Sequence, residues 1–243
     1  MGLAAGMLLV DKPADWTSHD VVAVLRRQFP RGTKVGHTGT LDPLATGLLV
    51  VLVGACTRLQ ARLQGFDKVY SGTIRLGVKT DTGDITGKVL EERPIPPLDL
   101  ERLRAELKAF AGLFEAPAPA YSAVKHKGKA LYAYARAGVE VPVKPRSSTV
   151  IGWEALSWQS PELTHRLSCS SGTYVRSLAE SLGERLGCGA TVSSLRREKV
   201  GPLDISAAVA LDYARALAPE AMAALLTSSL PVLEGVMKAV SVR

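Results

Sequence analysis

Residues 7–10 form a short apolar run closed by Asp11-Lys12-Pro13, the pattern of a strand ending in a turn. Thr17 and Ser18 can cap a helix whose apolar positions are Val21, Val22, Leu25 and Phe29, stopped by Pro30 and Gly32. A glycine- and threonine-rich loop follows over 36–47. Residues 48–53 are continuously apolar, which suits a buried strand or a buried helix segment equally. Over 68–76 the positions alternate, so that Tyr70, Gly72, Ile74 and Leu76 share one strand face. Gly83, Asp84 and Gly87 mark a turn region. Asp99 can cap a helix carrying Leu100, Leu103, Leu107 and Phe110 on one stripe, with Pro117 and Pro119 ending that element. Residues 149–158 and 164–169 read as strands. Ser170-Ser171-Gly172 opens a helix with Val175, Leu178, Ala179, Leu182 and Leu186 inward. Residues 207–217 and 220–226 suit short helices, and 220–233 reads as helix then turn. Strands and helices mix without βαβ alternation, so the pattern predicts an α+β fold on a mostly antiparallel sheet rather than a Rossmann type.

Composition removes several classes. The chain has 243 residues, 47% apolar and 22% charged, which is a globular balance with length for one large domain or two small ones. The uncharged run 43–57 is shorter than the roughly 20 residues a spanning helix needs. No basic leader precedes Asp11 and Lys12, so no secretory signal is expected. Cys56, Cys169 and Cys188 are widely spaced, which predicts neither a disulfide scaffold nor a zinc site and fits a reducing, cytoplasmic setting. Four histidines lack HExxH spacing, and no catalytic metal is expected.

Charge adds a positive clue. The net charge is +7, and +5 of it falls within residues 121–146. There Lys125, Lys127, Lys129, Arg136, Lys144 and Arg146 face Glu140 alone, interleaved with Tyr121, Tyr132 and Tyr134. A basic strip with aromatics is the footprint of a polyanion-binding surface. A solvated lysine-rich loop has the same composition.

The loop 36–47 reads Gly36-His37-Thr38-Gly39-Thr40-Leu41-Asp42-Pro43-Leu44-Ala45-Thr46-Gly47. It holds neither GxxxxGK[ST] nor GxGxxG, which weakens a phosphate cradle. Asp42 is the only acid between Asp20 and Asp67. Taken alone it suits an N-cap before Pro43 at a first helical position. Taken alone, His37 reads as a hydrogen-bonded structural residue, Arg176 as a surface residue, Leu195 as a core residue, and Arg196-Arg197 as arginines facing water.

This loop resembles the signature of the TruB family of pseudouridine synthases. The likeness extends in order over about 7–217: Asp11-Lys12-Pro13 with Thr17-Ser18, Lys68-Val69-Tyr70, Thr80-Asp81-Thr82-Gly83-Asp84, then Pro119 to Lys125 with Gly128, Leu131-Tyr132 and Ala135-Arg136. Cys169-Ser170-Ser171-Gly172-Thr173-Tyr174-Val175-Arg176 and Leu195-Arg196-Arg197 complete it. The resemblance implies the pseudouridine synthase fold: α+β, a mixed, mainly antiparallel sheet with flanking helices and a central catalytic cleft. It implies conversion of the T-loop uridine of tRNA, position 55, to pseudouridine, with assistance to tRNA folding as a further role. That isomerisation gains no group, so no cofactor, nucleotide or metal is expected. Asp42 would be the catalytic carboxylate, Arg176 its partner, Tyr70 the tyrosine stacked on the target base, and Leu195 an apolar wall. His37 would fill the gap left by the extruded base. Lys12, Lys125, Lys127, Lys129, Arg136, Tyr174 and Arg196 would contact RNA, with Arg197 a further candidate. Residues 1–217 would form the catalytic domain. Residues 218–243 would be a tail too short for the C-terminal RNA-binding PUA domain of many members. A cytoplasmic monomer acting without a membrane or an obligate protein partner is expected. Two rivals are a catalytically silent RNA-binding protein of the same fold and a nucleotide-binding enzyme using the glycine loop.

Overall fold

The computed structural model describes residues 5–241. These fall into two compact units, one holding the chain up to Val69 and from Arg196 onward, the other Tyr70–Leu195. The first unit begins with β1 (Gly6–Lys12), α1 (Ser18–Arg26), β2 (Val35–His37), β3 (Thr46–Val53) and α2 (Gln60–Gln64). Helix α1 starts where the sequence places it. The Thr17 hydroxyl accepts from the Asp20 amide at 3.0 Å, and the Asp20 carboxylate accepts from the Thr17 amide at 3.0 Å. This reciprocal cap satisfies amides that have no partner inside the helix. No helix follows Asp42, which corrects the N-cap expectation: its carbonyl accepts from the Ala45 amide at 3.1 Å in a simple turn.

The ambiguous run 48–53 is strand. Leu49, Val51 and Val53 pack with Leu8, Val10, Val21, Val22 and Leu25, while Leu48, Val50 and Leu52 pack with Met7, Leu63, Val200 and Leu203. Because β3 is covered on both faces, its sequence cannot alternate. Each fully buried Val or Leu contributes roughly 1.5–3 kcal/mol.

The chain enters the second unit within β4 (Lys68–Leu76), which has the predicted boundaries. A hairpin of β5 (Val78–Thr80) and β6 (Val89–Glu92) and helix α3 (Leu100–Lys108), capped by Asp99, come next. The prolines do not end α3. The helix stops at Lys108, and Gly112–Pro117 forms β7, paired antiparallel with β10. The basic strip folds as a small hairpin, β8 (Lys125–His126) and β9 (Lys129–Ala130), followed by α4 (Leu131–Ala135). Strands β10 (Pro145–Gln159) and β11 (Glu162–Cys169) pair antiparallel. Helix α5 (Val175–Leu186) buries the five predicted apolar positions. It ends at Gly187, whose φ of +78° is a left-handed cap that favours glycine.

The chain returns along β12 (Ala190–Val200), a strand the hydrophobic pattern did not announce. Then come β13 (Leu203–Asp204), β14 (Val209–Ala210), α6 (Leu211–Ala216), α7 (Pro219–Ser228) and α8 (Leu230–Ser241). In the first unit the strand order is β14-β1-β3-β12, with β1 and β3 antiparallel and Arg196 and Arg197 of β12 parallel to Thr46 and Gly47 of β3. In the second unit the order is β12-β4-β11-β10-β7. Past residue 217 the expected helix is present, but the turn is limited to Ser229: residues 230–233, expected as turn, open a second helix, α8. The Ser229 hydroxyl accepts from the Met7 amide at 2.9 Å, so this stretch packs on β1. Residues 242 and 243 of the expected tail, like residues 1–4, lie outside the described residues.

Candidate active site

The loop carrying Asp42 has no repeating hydrogen bonds of its own, and side chains from three other segments of the first unit hold its backbone. The Arg197 guanidinium donates to the carbonyls of Gly39 at 3.1 Å, Thr40 at 3.4 Å and Leu48 at 2.8 Å. The Ser18 hydroxyl accepts from the Leu41 amide at 2.8 Å and donates to its carbonyl at 3.2 Å. On the far side of Asp42, the Pro43 carbonyl accepts from the Asp15 amide at 2.9 Å and the Lys12 ammonium at 3.3 Å. The half-buried Asp42 thus sits between fixed neighbours. Gly47, at a φ of +100°, closes the loop against β12: a Cβ there would lie 2.4 Å from the Arg197 carbonyl oxygen. Only glycine meets both conditions.

Lys12 is fully buried, and its ammonium donates to the carbonyls of Pro13, Trp16 and Pro43 at 2.8, 2.7 and 3.3 Å. All three donors are engaged. The sequence expectation of a phosphate contact therefore meets a residue built into the loop's support. Burial lowers Lys12 from 10.5 to about 8, against the opposing pull of Asp42 and Asp15. The folded value lies below the unfolded one, so between those pH values the unfolded chain binds more protons. Through this group stability then rises with pH rather than falling. An activity loss in that window reports on the loop. We expect kcat to fall along an alkaline limb with midpoint near pH 8, while near-ultraviolet circular dichroism stays native. Lys12→Arg, which keeps its proton, should remove the limb; a flat wild-type kcat through pH 9 would contradict this.

His37 ends β2, and its Nδ1 accepts from the Gly39 amide at 3.3 Å. Burial, then the nearby Arg197 and His19, pushes its pKa below the usual value. The ring is neutral at physiological pH, a flat surface suited to stacking on a base. Arg196 points away from Arg197 and makes a two-pronged pair with Asp11 at 2.7 and 3.1 Å. It is a partly exposed arginine already holding a carboxylate.

The remaining candidates belong to the second unit. Tyr70 is buried on β4. Gly72, two residues on and on the same face, lies against β12, where a Cβ would meet the Ser194 carbonyl at 2.3 Å and the Leu195 Cα at 3.2 Å. That close approach brings buried Leu195 beside β4. Tyr174 occupies the N-cap position of α5 without a side-chain cap, and Arg176 is the second residue of the helix. Arg176 is buried, and its guanidinium donates to the carbonyls of Thr82 at 2.7 Å and Tyr121 at 2.9 Å. The expectation of a surface arginine is corrected. The guanidinium ties the acidic turn after β5 to the segment leading into the basic strip. Glu180, one turn along α5, has its pKa raised by burial and opposed by Lys79 and Arg176.

In the strip, Lys125, Lys127 and Lys129 are exposed around a two-residue turn, with Lys127 at φ +47° and Gly128 at +84°. Such a turn matches the twist of a tight hairpin. The Lys129 ammonium lies 5.1 Å from the Tyr134 ring centroid, and the Arg136 guanidinium 5.4 Å from that of Tyr132. The strip is thus a shaped surface of cations and rings.

Sequence reasoning offered Arg197 to RNA or to water and missed its grip on the loop, as it missed that of Ser18. The signal for Arg197 was present: along β12, Leu195 and Arg197 are buried and Arg196 between them is not. Period-two spacing places Arg197 inward once the segment is known to be strand.

Comparison with known proteins completes the assignment. Residues 26–175 match the N-terminal domain of the TruB family pseudouridylate synthases, and residues 176–230 the tRNA pseudouridylate synthase B C-terminal domain. The tRNA pseudouridine synthase B of Opitutus terrae is 45% identical over 212 residues, covering 87% of this chain and 88% of that protein. That of Endomicrobium trichonymphae is 46% identical over 205 residues, covering 84% and 88%. In shape the chain resembles the crystal structure of a Cbf5-Nop10-Gar1 complex, with a TM-score of 0.65 at 27% identity over 86% of this chain and 54% of that one. It also resembles an archaeal box H/ACA sRNP Nop10-Cbf5 complex, with a TM-score of 0.62 at 25% identity over 92% and 62%. The fold is that of the pseudouridine synthases, an α+β chain with mixed, mainly antiparallel sheets. Within that class, the chain belongs to the TruB family.

Proposed function

We propose that this protein isomerises the uridine at position 55, in the T loop of tRNA, to pseudouridine, and that residues within 1–217 carry the chemistry. The observation that carries the reading is the loop 37–47, which presents one carboxylate, Asp42, between backbone groups gripped by Ser18, Lys12 and Arg197.

The reaction breaks the C1′–N1 bond, turns the freed uracil and joins C1′ to C5. The proton on C5 leaves and N1 gains one, so the atoms balance without a further reactant. Asp42 serves by one of two routes, attack on C1′ or removal of the C2′ proton. Arg176, held by the Thr82 and Tyr121 carbonyls, is assigned as the cation that keeps the carboxylate ionised, since an arginine fork suits that charge. Tyr70 supplies a ring for the base and Leu195 an apolar wall. His37 supplies the neutral ring that replaces the extruded base in the loop's stack. The exposed lysines of the strip, Arg136 and Tyr174 are assigned to the RNA, and extruding the base couples catalysis to refolding of the T loop. Lys12 and Arg197 are assigned to holding the loop, and Arg196 to its pair with Asp11. A cytoplasmic monomer acting on tRNA without a protein partner fits this assignment. Among the described residues, no helix is long and apolar enough to cross a membrane.

The purified protein with no addition should release tritium from tRNA labelled at uridine C5, in amounts equal to the pseudouridine formed. Failure to release tritium from unmodified tRNA would overturn the proposal.

A further inference from the structure

The two largest fully buried side chains among the described residues are both cations, Arg197 and Lys12. Burying a guanidinium is costly unless its donors are matched. Among the described residues, the hydrogen-bond partners of the Arg197 guanidinium are three main-chain carbonyls. A fold needing only bulk at this position would be served by an apolar side chain, so the choice of what the guanidinium holds is informative. Gly39 and Thr40 lie three and two residues before Asp42, and Leu48 lies just past the loop, in β3. One rigid, planar group therefore fixes the two ends of the segment carrying the carboxylate. The backbone of the same residue fixes a third point, because Gly47 pairs with Arg197 in register and leaves no room for a Cβ.

From this we infer that Arg197 is a positioning residue: through the carbonyls of Gly39, Thr40 and Leu48 it holds the loop in the shape that aims Asp42, and it acts on turnover rather than on RNA affinity. The inference rests on the reading of Asp42 as the catalytic carboxylate. Lysine cannot replace Arg197, because a single ammonium on a flexible stem lacks the fork that spans residues 39, 40 and 48. A misplacement of about 1 Å in a reacting group costs on the order of a hundredfold in rate. The RNA-facing lysines lie in the other unit and are untouched by the change.

The test uses full-length protein and tritium release from tRNA, with wild type and Asp42→Asn as controls. A silent wild type, or an active Asp42→Asn, would sink the functional reading itself and is seen separately. With those controls sound, Arg197→Lys should lower kcat by about thirtyfold to a hundredfold, with KM and tRNA Kd within about threefold. Arg197→Ala leaves a guanidinium-shaped space lined by carbonyls. Adding ethylguanidinium should restore its kcat at least about tenfold, whereas ethylammonium should not. The inference is overturned if folded Arg197→Lys keeps its kcat or loses only KM. It is equally overturned if activity falls only with the folded fraction and no guanidinium rescue is seen.

Discussion

Asp42→Asn abolishes turnover, by at least about a thousandfold or ~4 kcal/mol, and leaves tRNA binding within about tenfold, ~1.4 kcal/mol. The two halves of this expectation rest on different parts of the structure. Asparagine has the size of aspartate, but its amide neither attacks carbon nor accepts a proton at neutral pH. The contacts that hold the loop, from Arg197, Ser18, Lys12 and the Asp15 amide, all end on the main chain of residues 39–43 and 48, so the substitution leaves them in place. Binding is assigned to the exposed strip around β8 and β9, on the other unit. Single-turnover tritium release and filter binding measure the two separately. Substantial turnover by the asparagine variant would remove Asp42 from its role. A loss of binding far beyond tenfold would mean that the carboxylate holds RNA rather than transforms it.

Neutralising Lys125, Lys127 and Lys129 together to glutamine flattens the dependence of log Kd on log salt by about 2–3 units. Each phosphate neutralised by a cation releases condensed counterions, and that release is what salt opposes. All three side chains are exposed around one hairpin turn, so their removal should cost little stability. Lys129 alone has a second attachment, over the Tyr134 ring, worth about 0.5–1 kcal/mol at an exposed site. Titrating tRNA binding between low and moderate salt gives the slope. An unchanged slope with folded protein would show that the hairpin faces solvent and that RNA lies elsewhere.

Much of this chain was readable because local chemistry repeats what the fold demands. Thr17 and Asp20 name the start of α1, Asp99 the start of α3, and the alternation through Tyr70, Gly72, Ile74 and Leu76 the whole of β4. The reading faltered where burial removes the pattern. Residues 48–53 carry no period because both faces of β3 are covered. Strand β12 was not announced because its polar residues lie inside as well as outside: Thr191 and Arg197 are buried in it. Pro117 and Pro119 suggested the end of a helix, but the chain had already turned into β7 at Gly112. A proline at the end of a strand removes no hydrogen bond the sheet requires.

The sequence by itself determined the chemistry on offer: one acid in a glycine loop, a family signature around it, and a basic strip apart from it. It could not determine which cations serve that acid's loop and which meet water. Lys12 read as a phosphate ligand and Arg197 as a surface residue, yet both are buried and turned to main-chain carbonyls. The sequence shows a positive charge, whereas its partner depends on which strand lies alongside. Only the pairing of β12 with β3 brings Arg197 to the carbonyls of Gly39 and Thr40, more than 150 residues away along the chain. That pairing is decided by burial of apolar surface across the whole unit, which no local pattern encodes.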